Sequence, residues 1–167
     1  MIDADLEVGH FVVVNQARDL YGLDLDGAAV WGPVSRPEIG YLRENLRRVG
    51  TRGFVFWQSY REKGRYRVSW TIDGQNGRHE VPLGRAITDV AVSSDGAYIA
   101  ISTSSGLNIG SVPDTVYVLR SADGAEVFRR TLPRYARSQL GILGPRHLAY
   151  SRYDGTRQWI EVVELPE

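Results

Sequence analysis

The densest group of chemically capable side chains is Arg43, Arg47, Arg48 and Arg52, with Glu44 the one acid among them. Guanidinium groups gathered in this way bind phosphates or acidic protein surfaces through paired N–H donors. Asn108 is a second candidate, because it lies in the long stretch Ser102–Asp114, and long loops on a rigid β scaffold are where recognition resides. Catalytic chemistry is harder to build. His10, His79 and His147 stand far apart with no paired metal-ligand spacing, and no Gly-x-Ser-x-Gly elbow offers an activated nucleophile. Cysteine is absent, which excludes thiol catalysis, cysteine-based zinc sites and disulfides. The acids Asp3, Asp5 and Glu7, or Asp24 and Asp26, lack the further ligands at set spacing that a calcium loop needs. No catalytic residue, metal or cofactor is assigned.

Composition narrows the function further. The 167 residues carry 20 basic and 20 acidic side chains, and 43% are hydrophobic, as in one ordinary globular domain. A net charge of zero disfavours nucleic acid as a partner, since such binders carry a basic excess. All the basic residues except Lys63 are arginine, a bias that GC-rich coding explains without nineteen anion sites. No apolar run approaches the roughly 18 residues of a membrane span, and the polar start Met1–Asp5 has no signal-peptide core. The expectation is a cytoplasmic protein without a membrane partner.

The elements that would position these groups are strands. Asp-Gly occurs at 26–27, 73–74, 95–96, 123–124 and 154–155, and this pair supplies the positive backbone angles of tight hairpin turns. Dense apolar strands begin at Phe11, Phe54, Tyr98 and Leu148, a period of about 45 residues. An alternating strand follows each: Tyr21, Leu23 and Leu25; Tyr66, Val68, Trp70 and Ile72; Tyr117 and Leu119; Ile160 and Val162. Alternation means that one face is buried and the other is wet or less apolar. The four tryptophans, Trp31, Trp57, Trp70 and Trp159, all fall in strands and read as packing residues. One segment differs: Ile39, Leu42, Leu46 and Val49 have helical spacing, with Pro37 early and Gly50 at the end. That spacing predicts a short helix near residues 38–49, on which Arg43 and Arg47 would sit one turn apart. The competing reading makes Leu46–Val49 a strand, by analogy with Asp89–Val92.

Three or four strands per 45-residue repeat is the pattern of a propeller blade. Thr88–Ala100, with its Ser-x-Asp-Gly turn, resembles the blade signature of WD40-like propellers, and Leu20–Trp31 and Val116–Phe128 resemble the repeat of quinoprotein-like propellers. The resemblance implies an all-β, propeller-like single domain of about four blades, with units near 1–27, 28–74, 75–124 and 125–167 and the first one partial. A quinone cofactor is not expected, because the members that carry one use a full ring. Closed rings usually have four to eight blades, so this chain either forms a small ring or leaves open edges that a homodimer would complete. The function expected is non-catalytic binding or assembly with a protein partner or a second copy. The alternatives are a hydrolase-like site on the axis of an assembled ring, and anion or nucleic-acid binding through the arginine cluster.

Overall fold

Antiparallel pairing of consecutive strands organises the chain. The computed structural model describes residues 3–5, 10–14, 20–23, 26, 28–34, 46–50, 52–57, 66–82, 84–105, 114–132, 140–153 and 156–166. The first sheet contains β1 (Asp3–Asp5), β2 (His10–Val14), β3 (Leu20–Leu23) and β4 (Ala29–Val34). The second holds β5 (Leu46–Val49), β6 (Gly53–Trp57), β7 (Arg67–Ile72) and β8 (Gln75–Glu80). The third holds β9 (Ala86–Val92), β10 (Tyr98–Ser104), β11 (Thr115–Arg120) and β12 (Glu126–Thr131). The fourth has three strands: β13 (Leu140–Leu143), β14 (His147–Tyr153) and β15 (Gln158–Glu164). Every sheet is a simple meander, and the all-β, blade-like architecture expected from the repeats is present.

Three expectations change. The short unit is the last sheet, not the first, because β1 pairs with β2 from Asp3↔Val12 to Asp5↔His10 and completes a four-stranded meander. The described residues contain no helix: Leu46–Val49 is β5, paired from Leu46↔Phe56 to Val49↔Gly53, while residues 38–45 lie outside the described residues. Pairing with the apolar β6 satisfies the backbone and buries Val49, and this overrides the helical spacing. Finally, Asp73-Gly74 and Asp123-Gly124 lie within sheets, joining β7 to β8 and β11 to β12. The second and third sheets therefore each run one strand past positions 74 and 124.

The second, third and fourth sheets lie face to face, with β9 against β5 and β6, and β13 against β9 and β10. Period-two geometry explains how the third sheet serves both neighbours. Ile99, Ile101, Tyr117 and Leu119 join Val55, Trp57, Val68, Trp70 and Ile72 of the second sheet in one core. The residues between them, Tyr98, Ala100, Val116 and Val118, join Leu148, Tyr150, Leu140, Ile142 and Val163 of the fourth sheet in another. Strand β10 is buried along its whole length, so its run Tyr98-Ile99-Ala100-Ile101 is apolar at every position rather than at alternate ones. Trp57 and Trp70 are core residues, but Trp159 is 40% exposed, with the Arg152 guanidinium 5.5 Å from its ring centre. No helix among the described residues is long and apolar enough to cross a membrane.

The turns between strands are also devices for joining sheets. Asp73 and Gly74 have φ of 52° and 75°, the two left-handed positions of a type I′ hairpin. In the β9–β10 turn the Asp95 carboxylate accepts bonds from the Ser93 hydroxyl (2.7 Å) and the Ala97 N–H (3.1 Å), and the Tyr98 N–H donates to the Ser93 hydroxyl (2.9 Å). The Asp-Gly pairs at 26–27 and 154–155 include residues outside the described ones.

Gly96 and Gly124 both adopt φ near +70°, which a side chain resists, but their surroundings differ. A Cβ at Gly96 would stand 2.9 Å from both Ile72 Cγ2 and Val49 Cγ1, stiff branched side chains of the second sheet, whereas one at Gly124 would meet only the Trp70 ring at 3.7 Å. Gly124→Ala should thus cost about 1 kcal/mol from the backbone alone. Gly96→Ala should cost about 1–3 kcal/mol more through overpacking, read as a lower urea midpoint at unchanged m value. Equal losses at the two positions would contradict this packing.

Candidate functional site

Strand geometry disperses the arginine cluster. Successive residues of β5 point to opposite faces, so Arg47 turns toward the third sheet and Arg48 turns away from it. Arg47 Nη2 lies 3.7 Å from a carboxylate oxygen of Asp89 on β9, and its side chain is exposed. Arg52, in the turn after β5, donates from Nε to both carboxylate oxygens of Asp73 (2.9 and 3.0 Å) and from Nη1 to the Asp95 carbonyl. It therefore clamps the β7–β8 turn of its own sheet to the β9–β10 turn of the next. Beside it, a cleft of about 290 Å³ is lined by Trp70, Ile72, Asp73, Asp95, Gly96 and Ser121 among others. The Trp70 indole N–H donates to the Ser121 carbonyl (2.9 Å) across that seam. Hydrogen bonding from Arg52 holds the Asp73 carboxyl below the usual carboxylate range, against a smaller opposing effect of desolvation. A guanidinium already satisfied by a carboxylate and a carbonyl has little left for an external anion. Arg43 and Asn108 lie outside the described residues.

The inner strands β5, β9 and β13 come together around Asp89. Its carboxylate accepts from the Val90 N–H (2.8 Å) and from the Leu140 N–H, with Arg47 alongside. Burial is the largest influence and raises its pKa above the ordinary aspartate value of 3.8, partly offset by those donors. Nearby, the Thr88 and Ser102 hydroxyls share a 2.7 Å hydrogen bond, and Ser102 is fully buried. Ser102 Oγ also approaches the Asp89 backbone carbonyl (3.4 Å), which cannot act as a base for it. His79 packs its ring 5.5 Å from that of Tyr117, and burial lowers its pKa, while His147 lies two sheets away on β14. Among the described residues no group of three or more His, Cys, Asp or Glu is arranged to hold a metal.

The outward face of the fourth sheet is a feature that proximity in sequence did not reveal. Register places Leu148, Tyr150, Glu161 and Val163 on the side turned to the third sheet, and Ala149, Ile160 and Val162 on the other. These match the third sheet position by position. Leu148, Tyr150 and Val163 stand where Ile99, Ile101 and Leu119 stand, and Ala149, Ile160 and Val162 where Ala100, Val116 and Val118 stand. Val116 and Val118 are 0% exposed beneath the fourth sheet, whereas Ile160 is 60% and Val162 52% exposed. Leu143 on β13 is exposed as well. The last sheet thus has a face of the kind that receives a neighbour, exposed at Ile160, Val162 and Leu143, while Ser151 on the same side is buried. The likeness of Ile160-Glu161-Val162-Val163 to Val116-Tyr117-Val118-Leu119 is the sequence signal for it.

No family model and no curated protein matches the chain. Solved structures do. The β-propeller domain of Cps50 (Swd1) from Myceliophteria thermophila matches at 16% identity over 93% of this chain and 50% of that one, with a TM-score of 0.54. Dihydro-heme d1 dehydrogenase NirN, in complex with DHE, matches at 17% identity over 98% of this chain and 36% of that one, with a TM-score of 0.50. BamB from Moraxella catarrhalis superposes more loosely, at 16% identity over 95% of this chain and 57% of that one, with a TM-score of 0.34. The chain therefore spans about half or less of the first two structures. The fold is that of a β-propeller, and four sheets agree in number with part of a larger ring.

Asp89 provides a test of the electrostatics at the inner edge. An acid whose folded pKa is raised binds its proton more tightly in the native state, so its stabilising contribution is largest at low pH and is lost as pH climbs through the elevated pKa. The stability of the parent relative to Asp89→Asn should fall as pH rises past 3.8 and then level off, as measured by urea denaturation across the acid range. A difference that grows with pH would mean that pairing with Arg47 outweighs burial.

Proposed function

We propose that this chain is a non-catalytic assembly module that pairs with a second copy of itself, the outward face of the fourth sheet packing against the opposite end of the other copy's array. The observation that carries this reading is the exposure of Ile160, Val162 and Leu143 on a sheet built like the third, whose corresponding face is fully covered. A surface patterned for a blade is best covered by a blade of the same repeat. Its blades we take to be of the WD40-like or quinoprotein-like kind, on the Ser93–Asp95–Gly96 turn and the Val116–Phe128 repeat.

Energetic scale favours a second copy over an isolated contact. Burying one such aliphatic side chain yields about 1.5–3 kcal/mol. Association itself costs about 4–15 kcal/mol in lost freedom and ordering. A two-fold ring forms the end-to-end contact twice while meeting the loss of translational freedom once. Zero net charge means that two copies do not repel at long range. Coverage of 50% of the Swd1 propeller chain also agrees with a ring that two such arrays would share. The catalytic alternative gains no support from Ser102, whose buried hydroxyl bonds to Thr88 and to the Asp89 backbone carbonyl, and the anion-binding alternative gains none from Arg52, which is already clamped.

Light scattering should give twice the 18.7 kDa chain mass at high micromolar concentration. Val162→Arg should return the monomer, with a melting temperature equal to that of the parent diluted until it too is monomeric, because the parent side chain is already half in solvent. A parent that stays monomeric at that concentration overturns the proposal.

A further inference from the structure

Three turns from two sheets converge at one end of the seam between the second and third sheets. The β7–β8 turn contributes Asp73, the β9–β10 turn Asp95 to Ala97, and the β11–β12 turn Ser121 and Ala122, and the cleft of about 290 Å³ lies among them. Small-molecule sites range from about 300 to 1,000 Å³, so this one suits a ligand of one ring rather than several. Its walls are fixed in advance. Trp70 is pinned by its indole bond to the Ser121 carbonyl, and its ring lies so close to Gly77 that a Cβ there would collide with it. Arg52 is held by Asp73 and the Asp95 carbonyl, and Asp95 by the Ser93 hydroxyl and the Ala97 N–H. Groups that need no further ordering bind at lower cost.

The bonding capacity that these contacts leave over defines the ligand. Arg52 commits Nε and Nη2 to Asp73 and Nη1 to the Asp95 carbonyl, which leaves one N–H on each terminal nitrogen. Asp95 takes the Ser93 and Ala97 bonds on Oδ1, so Oδ2 remains an acceptor. The Gln75 amide and the Ser121 hydroxyl, each able to donate and accept, have no partner among the described residues. Trp70, Ile72, Ala97 and Ala122 supply the apolar part of the lining. Charge selects neither sign strongly: Arg52 and Asp73 neutralise each other, and the remaining Asp95 carboxylate is held against its own turn. An anion would meet two carboxylates, and a cation would meet a fixed guanidinium. Single donors interleaved with single acceptors beside an apolar wall match adjacent hydroxyls on a carbon ring, because a hydroxyl both donates and accepts. We infer that this cleft binds a small uncharged polyol of the monosaccharide class. The site is separate from the pairing of copies, since it uses no residue of the outward face of the fourth sheet.

Glucose, galactose and mannose, titrated separately and followed by amide NMR shifts, are suitable probes. At least one should move the Gly96, Ala97, Ser121 and Ala122 amides saturably, with a dissociation constant on the order of 1 mM. Combining Gln75→Ala with Ser121→Ala should weaken binding about tenfold at an unchanged melting temperature, because the side chains removed have no described partner. Glucuronate and glucosamine, which place a carboxylate or an ammonium on the same ring, should bind several-fold more weakly than the best neutral sugar. Three results overturn the inference: no saturable shift at these amides with any neutral sugar at about 100 mM, equal binding by the double variant, or tighter binding of a charged sugar. Run on the Val162→Arg protein as well as the parent, the titration should give the same constants. Its outcome therefore stands apart from the oligomeric state, and the failure of either proposal leaves the other in place.

Discussion

A pleated sheet with apolar residues on both faces needs two neighbours, and this requirement governs the molecule. The third sheet meets it: its odd and even positions enter two separate cores, one shared with the second sheet and one with the fourth. Burial on both faces is why Tyr98–Ser104 can be apolar or small at every position. The same rule, applied one sheet further along, leaves Ile160 and Val162 in solvent. Nothing is locally wrong with the fourth sheet; its register is regular and its inner side is well packed. Among the described residues it has one neighbour where its pattern calls for two.

Face-to-face stacking also needs alignment at the rims, and polar groups supply it. Arg52 reaches from the second sheet to the carbonyl of Asp95 in the third, while Asp73 holds its guanidinium in place. Gly96 sits against Val49 and Ile72 at the same seam, where no side chain would fit without a shift. Along the other seam the Ser94 N–H donates to the Gly144 carbonyl (3.3 Å), and Arg130 of the third sheet meets both Glu161 and the Tyr150 hydroxyl of the fourth. Half-exposed pairs of this sort contribute little to stability. Their directionality matters more, because dispersion and burial alone would let one sheet slide over another.

Most strands were legible from alternation and from Asp-Gly pairs, since both signals are local: Asp73-Gly74 and Asp95-Gly96 carry their turn chemistry in their own residues. The inner strand β5 was not, because four residues are too few to show a period of two and Leu46 and Val49 also fit a helical spacing. Its strand character comes from β6, a partner across a turn. The arginines of β5 and its turn are separated for a related reason. Closeness along the chain became opposite faces for Arg47 and Arg48, and a structural clamp for Arg52. Ile160 and Val162 were visible as an alternating pair, but alternation reads the same whether the second face is covered or bare. Trp159 reads as a packing residue on its type and strand position, yet its place in β15 leaves it accessible.

Because each hydrophobic core joins only adjacent sheets, stability in this array is a nearest-neighbour quantity. Opening can therefore begin at a terminal sheet and proceed inward like a zipper, with the doubly covered third sheet the last to yield. The fourth sheet, held on one side, is the natural place for such fraying to start. Any partner that covers it then acts on folding as well as on assembly, raising the cohesion of the whole chain by mass action and making its apparent robustness depend on concentration.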